Sequence, residues 1–525
     1  MNSKQIEKQS FPLRFIIKVV EPFKSLVIMF FFTLIISSFL EIFGLAMFLP
    51  LFEIILGKES GSQLSKSVTY PMTMIGIESS IINISIMLLI IIFVKVLFRL
   101  FNTYFSNKLC FKIRELMMVE INDYYLSTPY EEIVKQKQGV LINNSFNEPN
   151  KASGGIMKIS EFLVSLFMIV FYYVLLITTN LMATFILTIV SIFIYLGFSK
   201  LSKKYSIRFG EQEMVFNQKI NAIAAESISA LRQVKTFGIN NIINEKLSKN
   251  VKGLSIVGIK NVLFQALPRS IIEVLLFTGI VFTIIMLYNI SLELLMSVVP
   301  ILTLFVIVSQ RLLGFLVNLV SNRSSLNYYL PSIVLVQSLL EKNRLAKVEL
   351  RKSNLVEVKS LDTNIVFDNV TFSYNGTEPV FSNLSFSISK GETTAIIGDS
   401  GSGKSTIADL ILALYLPSSG KISFNGSTIN DINIVDWRKN IGFVSQDNFL
   451  FHNTIMENIK FGNLAASDEM VINAAKQANA HDFISRFPEG YETVVGDRGM
   501  LVSGGAETAH CYCQGVGTRS RNIDL

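Results

Sequence analysis

Cysteine is scarce, with three residues in 525. That excludes a disulfide framework and places the soluble portion in a reducing, cytosolic setting. Charge is scarce too. Only 17% of the residues are Asp, Glu, Lys or Arg against 50% hydrophobic ones, which is too apolar for a soluble protein of this length. No single basic stripe lies behind the net charge of +7, which excludes a nucleic-acid partner. The basic residues sit between hydrophobic runs, as they do at a membrane surface. No small-residue cleavage site follows the first apolar run, which starts at Leu26 after more than twenty mixed residues. It therefore reads as a retained membrane helix and not as a secretion signal. Tryptophan occurs once and phenylalanine 41 times. The apolar residues crowd before residue 320, and beyond about 360 the chain alternates as an α/β domain does.

Six apolar stretches are long enough to cross a hydrocarbon core: 24–48, 81–101, 159–179, 181–199, 268–288 and 294–319. Only Thr179-Asn180-Leu181 joins the third to the fourth, and a short stretch near Asn289–Glu293 joins the fifth to the sixth. Basic residues set the orientation. Lys4, Lys8, Arg14, Lys18 and Lys24 precede the first span, the connection 102–158 carries seven Lys or Arg, and 200–260 carries eleven. The connection 50–80 has only Lys58 and Lys66. Basic loops stay inside, so both termini and the two long connections are expected on the cytoplasmic side of a bacterial-type inner membrane. Those connections are poor in Pro and Gly and read as helices continuing out of the membrane, as in Phe111–Leu126 and Glu211–Leu231.

Ionisable residues within spans are expensive and mark candidate substrate paths. Here they are Glu41, Arg269, Glu273 and Arg311, with Lys95 and Arg99 at the cytoplasmic end of the second span. The last two are expected to snorkel. Arg269 and Glu273, four residues apart, are placed to neutralise each other. Arg311 is placed either for a helix-packing hydrogen bond or to meet an anionic phosphate of a substrate.

The stretch Gly398-Asp399-Ser400-Gly401-Ser402-Gly403-Lys404-Ser405-Thr406 fits G-x-x-x-x-G-K-[ST], a loop that wraps a nucleotide's phosphates. Its context agrees: Thr393–Ile397 reads as a buried strand and Ile407–Tyr415 as a helix. Glycines let backbone N–H groups turn toward anionic oxygens, and the helix N-terminus adds partial positive charge. Lys404 is placed to reach the β- and γ-phosphates of ATP, and Ser405 to hold Mg²⁺.

With these motifs in this order, the chain resembles the half-transporters of ABC exporters over roughly residues 10–505. The resemblance implies a six-span all-α transmembrane domain over 1–330, a linker over 331–362, and a P-loop α/β nucleotide-binding domain over 363–505. It implies that Tyr374, in Val370-Thr371-Phe372-Ser373-Tyr374, stacks on adenine. Gln446, in Val444-Ser445-Gln446-Asp447, would touch Mg²⁺ and the attacking water. Val495–Gly499 resembles the segment that precedes the signature. Ser503, Gly504 and Gly505 resemble the start of the signature, which caps the γ-phosphate bound by a second half-transporter. More narrowly, Glu41–Gly44, Gly139–Asn143 and Leu267–Glu273 resemble exporters that flip lipid-linked oligosaccharides. That implies a lipid or lipid-linked sugar as substrate, with peptide as the rival. Glu226–Gly238 resembles the second coupling region, which docks on a nucleotide-binding domain.

After Gly505 the pattern breaks. The family continues into a Walker B strand with its Asp and catalytic Glu, then a switch His. Here 506–525 contain no apolar run long enough for a buried strand. The nucleotide-binding domain is therefore expected to be incomplete and its tail frameshifted. No candidates remain for those three residues, so ATP is expected to bind while hydrolysis is impaired. His510-Cys511-x-Cys513 has no second ligand cluster near it and is not read as a metal site. The other readings are a degenerate, non-hydrolysing partner in a heterodimer and a membrane-anchored ATPase or sensor that moves nothing.

Overall fold

The computed structural model describes residues 12–496, apart from 56–62, 75, 180, 291, 353–354, 359–362, 377 and 445–448. The chain divides into two compact units, 1–127 with 136–346, and 128–135 with 347–525.

The first unit is helical. Apolar runs in hydrocarbon must satisfy every backbone polar group internally, and a helix does so within one segment. Six helices dominate: α1 (Lys24–Ala46), α2 (Ile81–Ser127), α3 (Glu148–Thr179), α4 (Leu181–Ser229), α5 (Asn240–Ile290) and α6 (Leu292–Lys352). Among the described residues, four stretches are long and apolar enough to cross a membrane: 13–55, 81–127, 138–177 and 240–279. The expected spans 181–199 and 294–319 are not among these four. They lie in α4 and α6, where several side chains fall outside the described residues. The first expected span ends early, at Ala46, and a further short helix, Phe48–Ile55, follows it.

The stretches 111–126 and 211–229 are helical, because α2 and α4 run on without interruption for 47 and 49 residues. Helix α6 continues to Lys352, through much of the stretch read as a linker. The physical reason is burial. Ile333, Val336, Leu339 and Leu340 recur at helical spacing and pack with Ile113, Met117 and Ile121 of α2 and Ala152 of α3. A second cluster joins Ile84 and Ile91 of α2, Ile169, Tyr172 and Leu176 of α3, and Leu312 and Leu316 of α6.

The second unit contains a four-stranded antiparallel sheet in the order β2-β1-β3-β4: β1 (Ile365–Phe372), β2 (Phe381–Ile388), β3 (Ser419–Phe424) and β4 (Ser427–Thr428). In β1 the buried positions are first Ile365 and Phe367, then Val370 and Phe372. The register shifts between Phe367 and Val370 against β2 and between Asp368 and Thr371 against β3, and Asn369 adopts a left-handed φ of 49°. One extra residue thus flips the phase of the alternation and keeps the apolar face inward. Gly420 (φ 78°) lies against this bulge, where a Cβ would collide with the Asn369 carbonyl. Helix α7 (Lys404–Ile411) packs Ile407, Leu410 and Ile411 into the same core as Phe367, Ile422 and Phe424.

Thr393–Ile397 is not a strand, contrary to the sequence reading. It is irregular and exposed, with Ile397 92% accessible. A strand of a parallel sheet draws its hydrogen bonds from neighbours distant in sequence, and no described strand lies beside this one. Helix α7 also starts earlier and stops sooner than the expected 407–415, because Ala413 turns left-handed (φ 51°). A small helical cluster follows, with Leu450, Ile455, Ile459, Val471, Ala475 and Ile484 at its centre. Its helices Ile455–Lys460 and Asp468–Gln477 are N-capped by the hydroxyls of Thr454 and Ser467.

Candidate nucleotide site

The loop from Gly398 to Gly403 ends in α7, whose N-cap is Gly403 at φ 92°. A glycine is required here. The left-handed φ disfavours any side chain, and a Cβ would lie 2.8 Å from Val380 Cγ1 and 3.0 Å from Phe381 Cδ1. Gly401 is left-handed as well (φ 85°), and Ser402 N–H closes the turn on the Asp399 carbonyl at 3.2 Å. No side chain caps α7. The first-turn amides of Lys404, Ser405 and Thr406 therefore have no acceptor from an N-cap side chain, as an anion site needs. Lys404 Nζ donates to the carbonyls of Gly398 (2.9 Å) and Asp399 (2.7 Å), which holds its ammonium over the loop. Ser405 is exposed and Thr406 buried. Uncapped amides, a loop-held ammonium and an exposed serine fit a nucleotide phosphate with Mg²⁺. Lys404 and the amides would hold the phosphate oxygens, and Ser405 the metal.

Tyr374 stands beside the helix. Its hydroxyl and that of Thr406 are hydrogen-bonded at 2.9 Å, and it also bonds the Asp409 carboxyl. Burial pushes the Asp409 carboxyl above the usual aspartate range, and the bond from Tyr374 partly offsets this. The Tyr374 ring lies at right angles to Phe372 (4.9 Å) and to Tyr415 (5.1 Å). Tyr415 in turn meets Tyr130 edge-on at 5.7 Å. Tyr130 opens the short helix Tyr130–Val134, which belongs to the nucleotide-site unit although its neighbours in sequence do not. Sequence reading missed Tyr130, Tyr415 and Asp409. Nothing local marks them, since their meeting depends on a loop folding back across some 280 positions of chain. Gln446, Ser503, Gly504 and Gly505 lie outside the described residues, as do His510, Cys511 and Cys513.

A model of the ABC transporter transmembrane region matches residues 27–312, and an ABC transporter model matches 381–520. The chain belongs to the ABC transporters. It carries the transmembrane region ahead of the ATP-binding region in one polypeptide. The heterocyst differentiation ATP-binding protein HepA of Nostoc is 26% identical over 81% of the chain and 69% of its own length. The mitochondrial iron-sulfur clusters transporter ATM1 of Saccharomyces cerevisiae is 42% identical over 33% of the chain, which is 26% of ATM1. A bacterial Atm1-family ABC exporter with ATP bound has the same fold, with a TM-score of 0.70 over 94% of this chain and 84% of that one, at 21% identity.

In the membrane region of this ABC transporter, Glu41 and Lys95 form an ion pair, with Lys95 Nζ 3.0 Å from Glu41 Oε2. Lys95, expected to snorkel from its position near a span end, is instead held by a carboxylate of the adjacent helix. The Tyr172 hydroxyl donates to Glu41 Oε1 at 3.2 Å. Three helices, α1, α2 and α3, thus share one polar junction. Arg311 of α6 lies within electrostatic reach of Tyr172 and is exposed. Arg269 and Glu273 are also exposed, and among the described residues no ion pair joins them, so the expected mutual neutralisation is not made. The region 226–238 forms the end of α4 and a short helix, Leu231–Thr236, and presents Ile228, Leu231 and Phe237 to solvent.

Proposed function

We propose that this chain is one subunit of a dimeric exporter. It would bind ATP and Mg²⁺ at its phosphate loop and move a lipid or lipid-linked oligosaccharide across a bacterial-type inner membrane. The observation that carries this reading is the uncapped, glycine-shaped opening of α7 with Lys404 at its first position, behind a region of apolar helices. In this reading six spans cross the membrane, and both termini and the nucleotide site face the cytoplasm. Tyr374 would flank the adenine, and Gln446 would join Ser405 around Mg²⁺. Ser503, Gly504 and Gly505 would complete the site of a second half-transporter. The exposed apolar residues at 226–238 are suited to docking on that partner's nucleotide-binding domain.

Arg311 favours an anionic substrate. It is exposed and, among the described residues, has no carboxylate within ion-pairing distance. Glu41 is engaged by Lys95, so it supports the path by holding helices together and not by meeting cargo. Arg269 and Glu273 would line the same path. A peptide substrate has no comparable feature behind it.

The decisive experiment is retention of labelled ATP by the purified chain. Retention that Lys404→Ala abolishes is expected, and retention indifferent to Lys404 would sink the reading. In vesicles carrying the chain with a hydrolysis-competent partner, Arg311→Ala should slow flipping of an anionic lipid; an unchanged rate would remove the lipid assignment.

A further inference from the structure

The helix that opens at the phosphate loop is only eight residues long. Two turns of helix have no stability of their own in water, so whatever holds the far end decides how the first-turn amides are presented. That end is fully satisfied. Leu412 N–H bonds the Ala408 carbonyl (2.9 Å), Ala413 N–H that of Leu410 (3.0 Å) and Leu414 N–H that of Asp409 (2.9 Å). With Ala413 left-handed, this is a Schellman closure.

The next three carbonyls take their donors from elsewhere in the chain. Trp437 Nε1 donates to Ile411 O at 2.6 Å. Arg438 Nε donates to Leu412 O and its Nη2 to Ala413 O, both at 2.9 Å. Both side chains come from one short helix, α8 (Ile434–Arg438), whose start is fixed by the Asn433 side chain accepting from Val435 N and Asp436 N. Trp437 is fully buried and lies against Phe424 of β3 with ring centroids 4.2 Å apart. The guanidinium is a permanent cation at the negative end of the α7 dipole. Its rigid fork spans two successive carbonyls, which a lysine ammonium does not match.

We propose that Arg438, seated by Trp437, is a positioning residue for the nucleotide. It clamps the C-terminal end of α7 and thereby fixes the direction of the Lys404–Thr406 amides at the other end, roughly 12 Å away. It touches no part of the phosphate loop and acts through the helix. The inference rests on the ATP-binding reading above. No local motif marks either residue, because their acceptors lie 25 and 26 positions earlier in the chain.

Trp437 is the sole tryptophan, so the emission of the full chain reports on this clamp alone. The test titrates the full-length protein in lipid nanodiscs with labelled ATP and Mg²⁺ and reads Trp437 emission in parallel. The wild type should bind, with a change in emission. Arg438→Gln should weaken binding about tenfold, and its emission change should stay smaller even at saturation. Arg438→Lys should lose less affinity, with an unchanged melting midpoint. A purely structural role would lower the midpoint yet restore the full emission change once the site is filled, and that result overturns the proposal. Should Arg438→Gln fail to fold, Arg438→Lys decides, since wild-type affinity and emission in it overturn the proposal. Retention that Lys404→Ala abolishes but both Arg438 variants leave intact defeats this inference alone. No retention by the wild type defeats the ATP-binding reading and this inference with it.

Discussion

Replacing Lys95 with methionine tests how the membrane region holds its charges. The ammonium stands 3.0 Å from the Glu41 carboxylate, and the two side chains are 23% and 15% exposed. At an effective dielectric of ~20, unit charges at 3.0 Å attract by about 5.5 kcal/mol. Desolvation of both ions takes back much of that gain, so the pair adds little net stability over an apolar replacement. Breaking it is different. Lys95→Met strands Glu41 with one hydrogen bond from Tyr172 and should cost about 3–5 kcal/mol. Glu41→Gln should cost less, because the flexible lysine stem can carry its charge toward water. The double variant Glu41→Gln/Lys95→Met strands no charge and keeps an acceptor for Tyr172, so it should recover most of the loss. The assay is the temperature at which the detergent-solubilised full chain loses its monodisperse elution peak. The expected order places wild type and double variant together, Glu41→Gln below them and Lys95→Met lowest. If Lys95→Met melts with the wild type, or the double variant falls as far as both single losses combined, the two residues are uncoupled and Lys95 is a snorkelling residue after all.

The other predictions concern the nucleotide unit. Gly403→Ala forces a side chain into φ 92° and against Val380, and it should reduce ATP retention by about tenfold or more in a filter-binding assay. Ala413→Gly relieves a left-handed alanine at the end of α7 and should stabilise the unit by about 1 kcal/mol, read as a raised melting midpoint. Tyr130→Ala removes the edge-on contact with Tyr415 and should cost about 1 kcal/mol, with no change expected from Tyr130→Phe. Burial raises the Asp409 pKa, so the folded chain holds that proton more tightly than the unfolded chain does. The resulting stability is complete below the ordinary aspartate pKa of ~3.9 and is lost as pH climbs through the raised value. Asp409→Asn lacks this loss, so its melting midpoint should gain on the wild type from acid toward neutral pH. Parallel midpoint curves would refute the assignment.

Local pattern alone determined the long helices and the phosphate loop. An apolar run in hydrocarbon has one economical backbone form, and G-x-x-x-x-G-K-S dictates its own turn through left-handed glycines and an uncapped helix start, as Gly401 and Gly403 show. These properties involve residues a few positions apart, so they survive in the sequence as periodicity and spacing. Only the tertiary structure decided the rest. It left Thr393–Ile397 without a strand partner among the described residues, gave Lys95 to Glu41, tied Tyr374 to Thr406 and Tyr415, and set Trp437 and Arg438 on the end of α7. Each of these is a pairing across tens of residues or more. Strand hydrogen bonds, ion pairs and helix-end donors are satisfied by whichever group the fold brings near, and nothing in the spacing of one partner specifies the other.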